Sequence, residues 1–117
     1  MTLGQQQELF TENLAKLIQY AISEGYGCRL REVQRTPEQQ AIYIKEGKSK
    51  TLNSRHIPSL AGDIYFTKDG KLVEGKTAEE TKALLQPLGD YWESLNENNR
   101  WGGNYKTFID CPHFEMV

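Results

Sequence analysis

Two histidines, His56 and His113, are the only imidazoles in the chain, and each has a carboxylate close in sequence. Asp63 follows His56 by seven residues, and Asp110 precedes His113 by three. Two neutral imidazoles and one carboxylate make a plausible three-ligand set. A catalytic Zn²⁺ site asks for that, with a fourth position left for water. A bound ion of this kind lowers the pKa of its water from 15.7 to about 7 and polarises a carbonyl. A further carboxylate is then needed to take the water's proton and hand it to a leaving amine, and Asp110 or Glu115 could serve. Neither His-Glu-x-x-His nor a cysteine-rich finger spacing is present, so the common zinc motifs do not apply. By residue type and spacing alone, two solvated or hydrogen-bonded histidines are the better reading.

Cys28 and Cys111 are too few for a disulfide framework and make no Cys-x-x-Cys pair. They read as small buried hydrophobes. A Cys111–His113 nucleophile pair is disfavoured, because adjacent strand residues point to opposite faces and Cys111 would face away from Asp110.

The elements that must position these groups are legible along the chain. Leu9, Phe10, Leu14, Leu17, Ile18, Ala21 and Ile22 fall at helical spacing, ending at Gly25. Residues 28–33 read as a short strand. Thr36 can cap a second helix, with Pro37 at its first position and Gln39 completing a capping box, running to Gly47. Residues 48–62, with Lys48, Lys50, Asn53, Ser54, Pro58 and Gly62, form a polar loop of the length that often carries function. Residues 63–66 are a strand candidate, Lys68-Asp69-Gly70-Lys71 a turn, and Leu72-Val73 a returning strand. Thr77 with Glu80 opens a third helix carrying Ala83, Leu84, Leu88, Tyr91, Trp92 and Leu95. Arg100-Trp101-Gly102-Gly103 reads as turn-rich, and residues 108–116 as a strand broken by Pro112. Three helices with several short strands predict an α+β fold, helices against a small antiparallel sheet.

The chain has 117 residues, 38% apolar and 26% charged, which excludes wholesale disorder and favours one domain spanning 1–117. A chain this long buries roughly 65% of its unfolded surface, enough for a core without staples. A net charge of −2 argues against nucleic acid as a partner. No stretch is apolar enough for a membrane span, and the first residues lack the pattern of a secretory signal peptide.

Ser54-x-His56-(six residues)-Asp63, then Trp101-Gly102-Gly103, then Asp110-x-Pro112-His113-Phe114-Glu115 resembles a known peptidase family. It is that of the zinc D-Ala-D-Ala carboxypeptidases and L-alanyl-D-glutamate peptidases, closest to small phage endolysins. The likeness spans roughly residues 25–117 and implies a zinc site at the sheet edge. By that resemblance His56, Asp63 and His113 are the zinc ligands and Asp110 the general base and acid. Arg35, in Gln34-Arg35-Thr36-Pro37-Glu38-Gln39, would stabilise the oxyanion; Ser54 would contact substrate, and Trp101 would bind substrate by lining the cleft, or support it from behind. Glu115 points to the same side as His113 in an extended strand and could orient that imidazole.

The expected activity is cleavage of peptidoglycan stem peptides, preferably at L-Ala–D-Glu. Removal of a terminal D-Ala is the variant within the family. A non-catalytic wall-binding or virion module is the rival from another class. The expected protein is a monomer held in the host cytoplasm until lysis. One departure stands out: the family's glycine three residues after the first ligand is Ser59 here.

Overall fold

The computed structural model describes residues 1–49 and 54–117. Lys50 and Asn53 of the polar loop therefore lie outside the described residues. Helix α1 (Leu3–Ser23) starts at Thr2, whose hydroxyl accepts from the Gln5 amide while the Gln5 side chain returns to the Thr2 amide. This satisfies two amides that the first helical turn leaves unpaired. The chain leaves α1 through Gly25, at φ 91°, a left-handed conformation that costs glycine nothing. Strand β1 (Gly27–Leu30) follows. Helix α2 (Pro37–Lys45) is capped by Thr36, which accepts from the Gln39 amide. Helix α3 (Ala78–Leu95) is capped by Thr77, which accepts from the Glu80 amide. There Glu80 bonds the Lys76 amide at 2.6 Å, one residue before the cap it was expected to serve.

Strand β2 (Ala61–Lys68) is the spine of the sheet. It pairs antiparallel with β1, with the short β3 (Lys71–Leu72) and with β5 (His113–Met116). Strand β4 (Asn99–Trp101) closes the other side of β5. The spatial order is β1-β2-β5-β4, all antiparallel. The α+β expectation of three helices on a small antiparallel sheet holds. The turn-rich reading of residues 100–103 was incomplete, because Arg100 and Trp101 belong to β4 and only Gly102–Asn104 form a 3₁₀ turn.

The core lies between the helices and one face of the sheet. Phe10, Leu14, Leu17 and Ala21 of α1 and Leu85, Leu88 and Trp92 of α3 meet Ile64, Phe66, Phe114 and Met116 from the strands. Phe114 is the hub, with the rings of Trp92, Phe66 and Trp101 5.8, 6.0 and 6.4 Å away. The apolar stripes were read too wide. Ile22 and Leu84 are about half exposed, because each sits at the margin of its helix's buried face. In α2 the buried residue is Gln40, whereas Ile42 lies exposed. On the opposite face of β2, Asp63 and Tyr65 alternate with buried Ile64 and Phe66. That second face carries the site.

Candidate metal centre and cleft

The register of the sheet brings the first two groups together. Asp63 on β2 sits directly across from His113 on β5. The turn at residues 55–59 delivers His56 to the same point, immediately before β2. One oxygen of Asp63, Oδ1, lies 3.2 Å from His56 Nε2 and 3.3 Å from His113 Nδ1. A ligand atom from each of the three residues falls within 4.8 Å of the others, and both histidines are buried.

The outer nitrogens fix the tautomers. His56 Nδ1 is 2.8 Å from the Val33 carbonyl. A carbonyl only accepts, so Nδ1 carries the proton and Nε2 presents its lone pair inward. His113 Nε2 lies 2.6 Å from Glu115 Oε1, which leaves Nδ1 as its inward atom. Imidazoles anchored from behind by an oxygen acceptor are the usual arrangement of metal-ligating histidines. The donor set is two nitrogens and a carboxylate oxygen, which suits zinc and other first-row divalent ions.

The electrostatics agree. Burial alone would raise the Asp63 pKa, but hydrogen bonds with His113 and His56 outweigh it and hold the carboxyl at about 2. Burial would lower the His113 pKa, yet its bonds to Asp63 and Glu115 push it up to about 9. Three acids thus demand positive charge at this point. In the metal-free protein a proton on His113 supplies part of it.

The three residues open onto a cleft of about 850 Å³ that Asp110, Arg35, Ser54, Glu115 and Tyr105 also line. Burial, opposed by the positive charge of His113, raises the Asp110 pKa. Asp110 is held by its backbone: its amide donates to Gly102 O at 2.9 Å, and its carbonyl accepts from the His113 amide at 3.1 Å. A Cβ on Gly102 would lie 2.2 Å from the Asp110 carbonyl oxygen, so only glycine permits this approach. The Trp-Gly-Gly turn is therefore the support of Asp110.

Trp101 lies behind the cleft rather than in its wall. It is fully buried, does not line the cleft, and donates through Nε1 to the Cys111 carbonyl at 2.8 Å. Its ring fills the space that Gly89 and Gly103 leave open, where added Cβ atoms would fall 2.0 and 2.3 Å from it. An indole can satisfy its single N–H on a backbone carbonyl and bury the rest, which is what happens here.

Arg35 lines the cleft, but much of its guanidinium is committed. Nε pairs with Glu32, and Nη1 donates to Gln40 Oε1 at 2.6 Å and to Ser54 Oγ at 3.3 Å. The guanidinium also stacks on Tyr43, 4.7 Å from the ring centre. The Arg35 amide donates to the His56 carbonyl at 3.0 Å, tying it to the first histidine. Ser54, nearly buried, accepts from the His56 amide at 3.2 Å as well as from Arg35. Ser59 adopts φ 58°, so the position is left-handed, as a glycine would favour. Cys28 and Cys111 are both free thiols, and neither lines the cleft.

Tyr105 and Gln40 escaped the sequence reading. The Tyr105 hydroxyl donates to Glu115 Oε1 at 2.6 Å, and burial followed by that bond raises its pKa. No periodicity or motif marks either residue.

The comparisons with known proteins bear on this geometry. A family profile described as D-alanyl-D-alanine carboxypeptidase matches residues 47–116. The chain belongs to this peptidase family. An L-alanyl-D-glutamate peptidase of Listeria phage A118 is 31% identical over 106 residues, covering 86% of this chain and 34% of that protein. The chain thus spans about a third of the length of that curated relative. The crystal structure of Serratia marcescens L-Ala D-Glu endopeptidase ChiX superposes with a TM-score of 0.63 at 24% identity. That match covers 91% of this chain and 79% of the Serratia protein, and establishes the shared fold. Peptidases of this family are zinc enzymes in general, and His56, Asp63 and His113 form a possible metal site. No helix among the described residues is long and apolar enough to cross a membrane.

Proposed function

We propose that this chain is a zinc-dependent peptidase domain that cuts peptidoglycan stem peptides between L-Ala and D-Glu. The observation that carries the reading is the convergence of His56, Asp63 and His113 within 4.8 Å in a cleft that Asp110 shares. These three side chains would hold the ion. When bound, zinc supplies Lewis-acid polarisation of the scissile carbonyl and an acidified water.

The chain's own residues do the rest. Asp110, carried on the Gly102 turn, takes the attacking water's proton and returns it to the leaving amine. Glu115 keeps the proton of His113 on Nε2. The Val33 carbonyl does the same for Nδ1 of His56, so both inward nitrogens stay free to ligate. Arg35 donates to the developing oxyanion through Nη2, which has no protein acceptor among the described residues. Ser54 holds Arg35 and the His56 turn in a single arrangement. Residues 1–117 act as one catalytic domain on the bacterial cell wall.

The family description favours a second reading within the same chemistry, removal of a terminal D-Ala. Mass spectrometry of purified muropeptides, with and without chelator, separates the two. Chelator-sensitive products cut at L-Ala–D-Glu are expected. Loss of one terminal D-Ala would move the substrate to the second reading. Intact muropeptides from folded, zinc-loaded protein would overturn both in favour of a non-catalytic wall-binding module.

A further inference from the structure

A glutamate joined into a peptide through one carboxyl keeps the other free. If the bond cut is L-Ala–D-Glu, as proposed above and on which this inference rests, an anion sits on the residue just past the scissile nitrogen. The cleft must accommodate it beside Asp63, Asp110, Glu115 and Glu32, which also line the cleft. Among the described residues four lysine and arginine side chains line that cleft: Arg31, Arg35, Lys48 and Arg55. Three are engaged. Arg35 pairs with Glu32, Lys48 lies 3.5 Å from Glu46, and Arg55 donates to the Met116 carbonyl at 3.0 Å. Arg31 has no carboxylate partner among the described residues; its guanidinium lies 5.7 Å from the centre of the Tyr65 ring.

Its place is set by the sheet. The Arg31 amide donates to the Asp63 carbonyl at 2.8 Å, and the Asp63 amide donates to Glu32 O at 3.0 Å. Arg31 therefore lies just past the end of β1, across from the central ligand and one step beyond the Leu30–Ile64 pair. Residues opposite one another on antiparallel strands share a face. Arg31, Asp63 and Tyr65 all line the cleft. A guanidinium held against an aromatic face, with both edges open, is suited to bidentate recognition of a carboxylate.

We propose that Arg31, seated on Tyr65, binds the free carboxylate of the residue following the scissile bond and so selects stem peptides whose glutamate is not amidated. Paired peptides test this: one with L-Ala–D-Glu, one with the same residue as its amide. The wild type should favour the carboxylate peptide by about tenfold in kcat/KM, the scale of one charge-assisted hydrogen bond. Arg31→Gln should bring that ratio to near one, and Arg31→Lys should restore part of it. Arg29→Gln, on β1 two residues before Arg31 and outside the cleft lining, should leave the ratio unchanged. An unaltered ratio in Arg31→Gln would overturn the inference. If neither peptide is cut, calorimetric binding of the same pair decides. A carboxylate preference that Arg31→Gln abolishes upholds the subsite and rejects the scissile bond, whereas equal binding rejects both.

Discussion

The Tyr105 hydroxyl and the His113 imidazole share one oxygen, Glu115 Oε1, each at 2.6 Å. Tyr105 thus reaches the candidate metal centre through two hydrogen bonds, by way of Glu115 and His113. Removing only its hydroxyl should free Glu115 to rotate and loosen His113. Tyr105→Phe is expected to weaken zinc affinity about tenfold, the low end for partners behind a ligating histidine. Competition with a fluorescent chelator measures this. The melting temperature of the metal-free variant should fall by little, because the phenyl ring stays.

In the proposed mechanism Asp110 transfers the proton, and it is not one of the three candidate ligands. Asp110→Asn should lose about 10²–10⁴ in turnover, the range of general acid–base catalysis, while retaining stoichiometric zinc. Near-full turnover with zinc bound would remove Asp110 from the mechanism. Glu115→Gln should show the opposite pattern, with the greater loss in zinc affinity.

The charges around Asp63 give the metal-free protein a defined pH profile. Asp63 titrates at about 2, below its ordinary 3.8, so its contribution to stability is present above about pH 4 and lost as pH falls toward 2. His113 titrates at about 9, above its ordinary 6.5, so its contribution is complete below about pH 6 and lost as pH rises through 9. Thermal denaturation in excess chelator should therefore show a plateau between about pH 4 and 6, declining on either side. Asp63→Asn should flatten both limbs.

Gly89 exists to admit Trp101. A Cβ there would sit 2.0 Å from Trp101 Cε3, and a buried indole stacked on Phe114 has nowhere to move. Gly89→Ala should cost about 1–3 kcal/mol by overpacking, against a helix-propensity gain of about 1 kcal/mol. Urea denaturation should report a net loss.

Ser59 pays a local strain at φ 58°. Ser59→Gly relieves it while adding freedom to the unfolded chain, for a net gain of about 0.5 kcal/mol. Ser59→Val, branched at Cβ, should lose more than about 1 kcal/mol. Both changes are measurable by the same denaturant titration.

Much of this molecule can be read from local pattern. Helix starts at Thr36 and Thr77, the strand through 63–66, and the local pairs His56 with Asp63 and Asp110 with His113 all depend on residues within a few positions of one another. Such signals are local physics: a cap needs a hydroxyl next to an unpaired amide, and a strand needs alternation. The directions of long-range side chains are another matter. Asp63 and His113 are fifty residues apart, and only the β2–β5 register sets them opposite each other. Trp101 sits beside glycines in the sequence, and what makes it a core residue is the groove at Gly89 on a different element. Tyr105 gains its role because Glu115 already faces His113. Gln40 is buried because Arg35 and Ser49 need its amide. One-dimensional spacing names the groups able to hold a metal or move a proton. Which of them meet, and which are spent on holding the others in place, is decided by strand register and packing, since hydrogen bonds and van der Waals contacts act over a few ångströms of space whatever the separation along the chain.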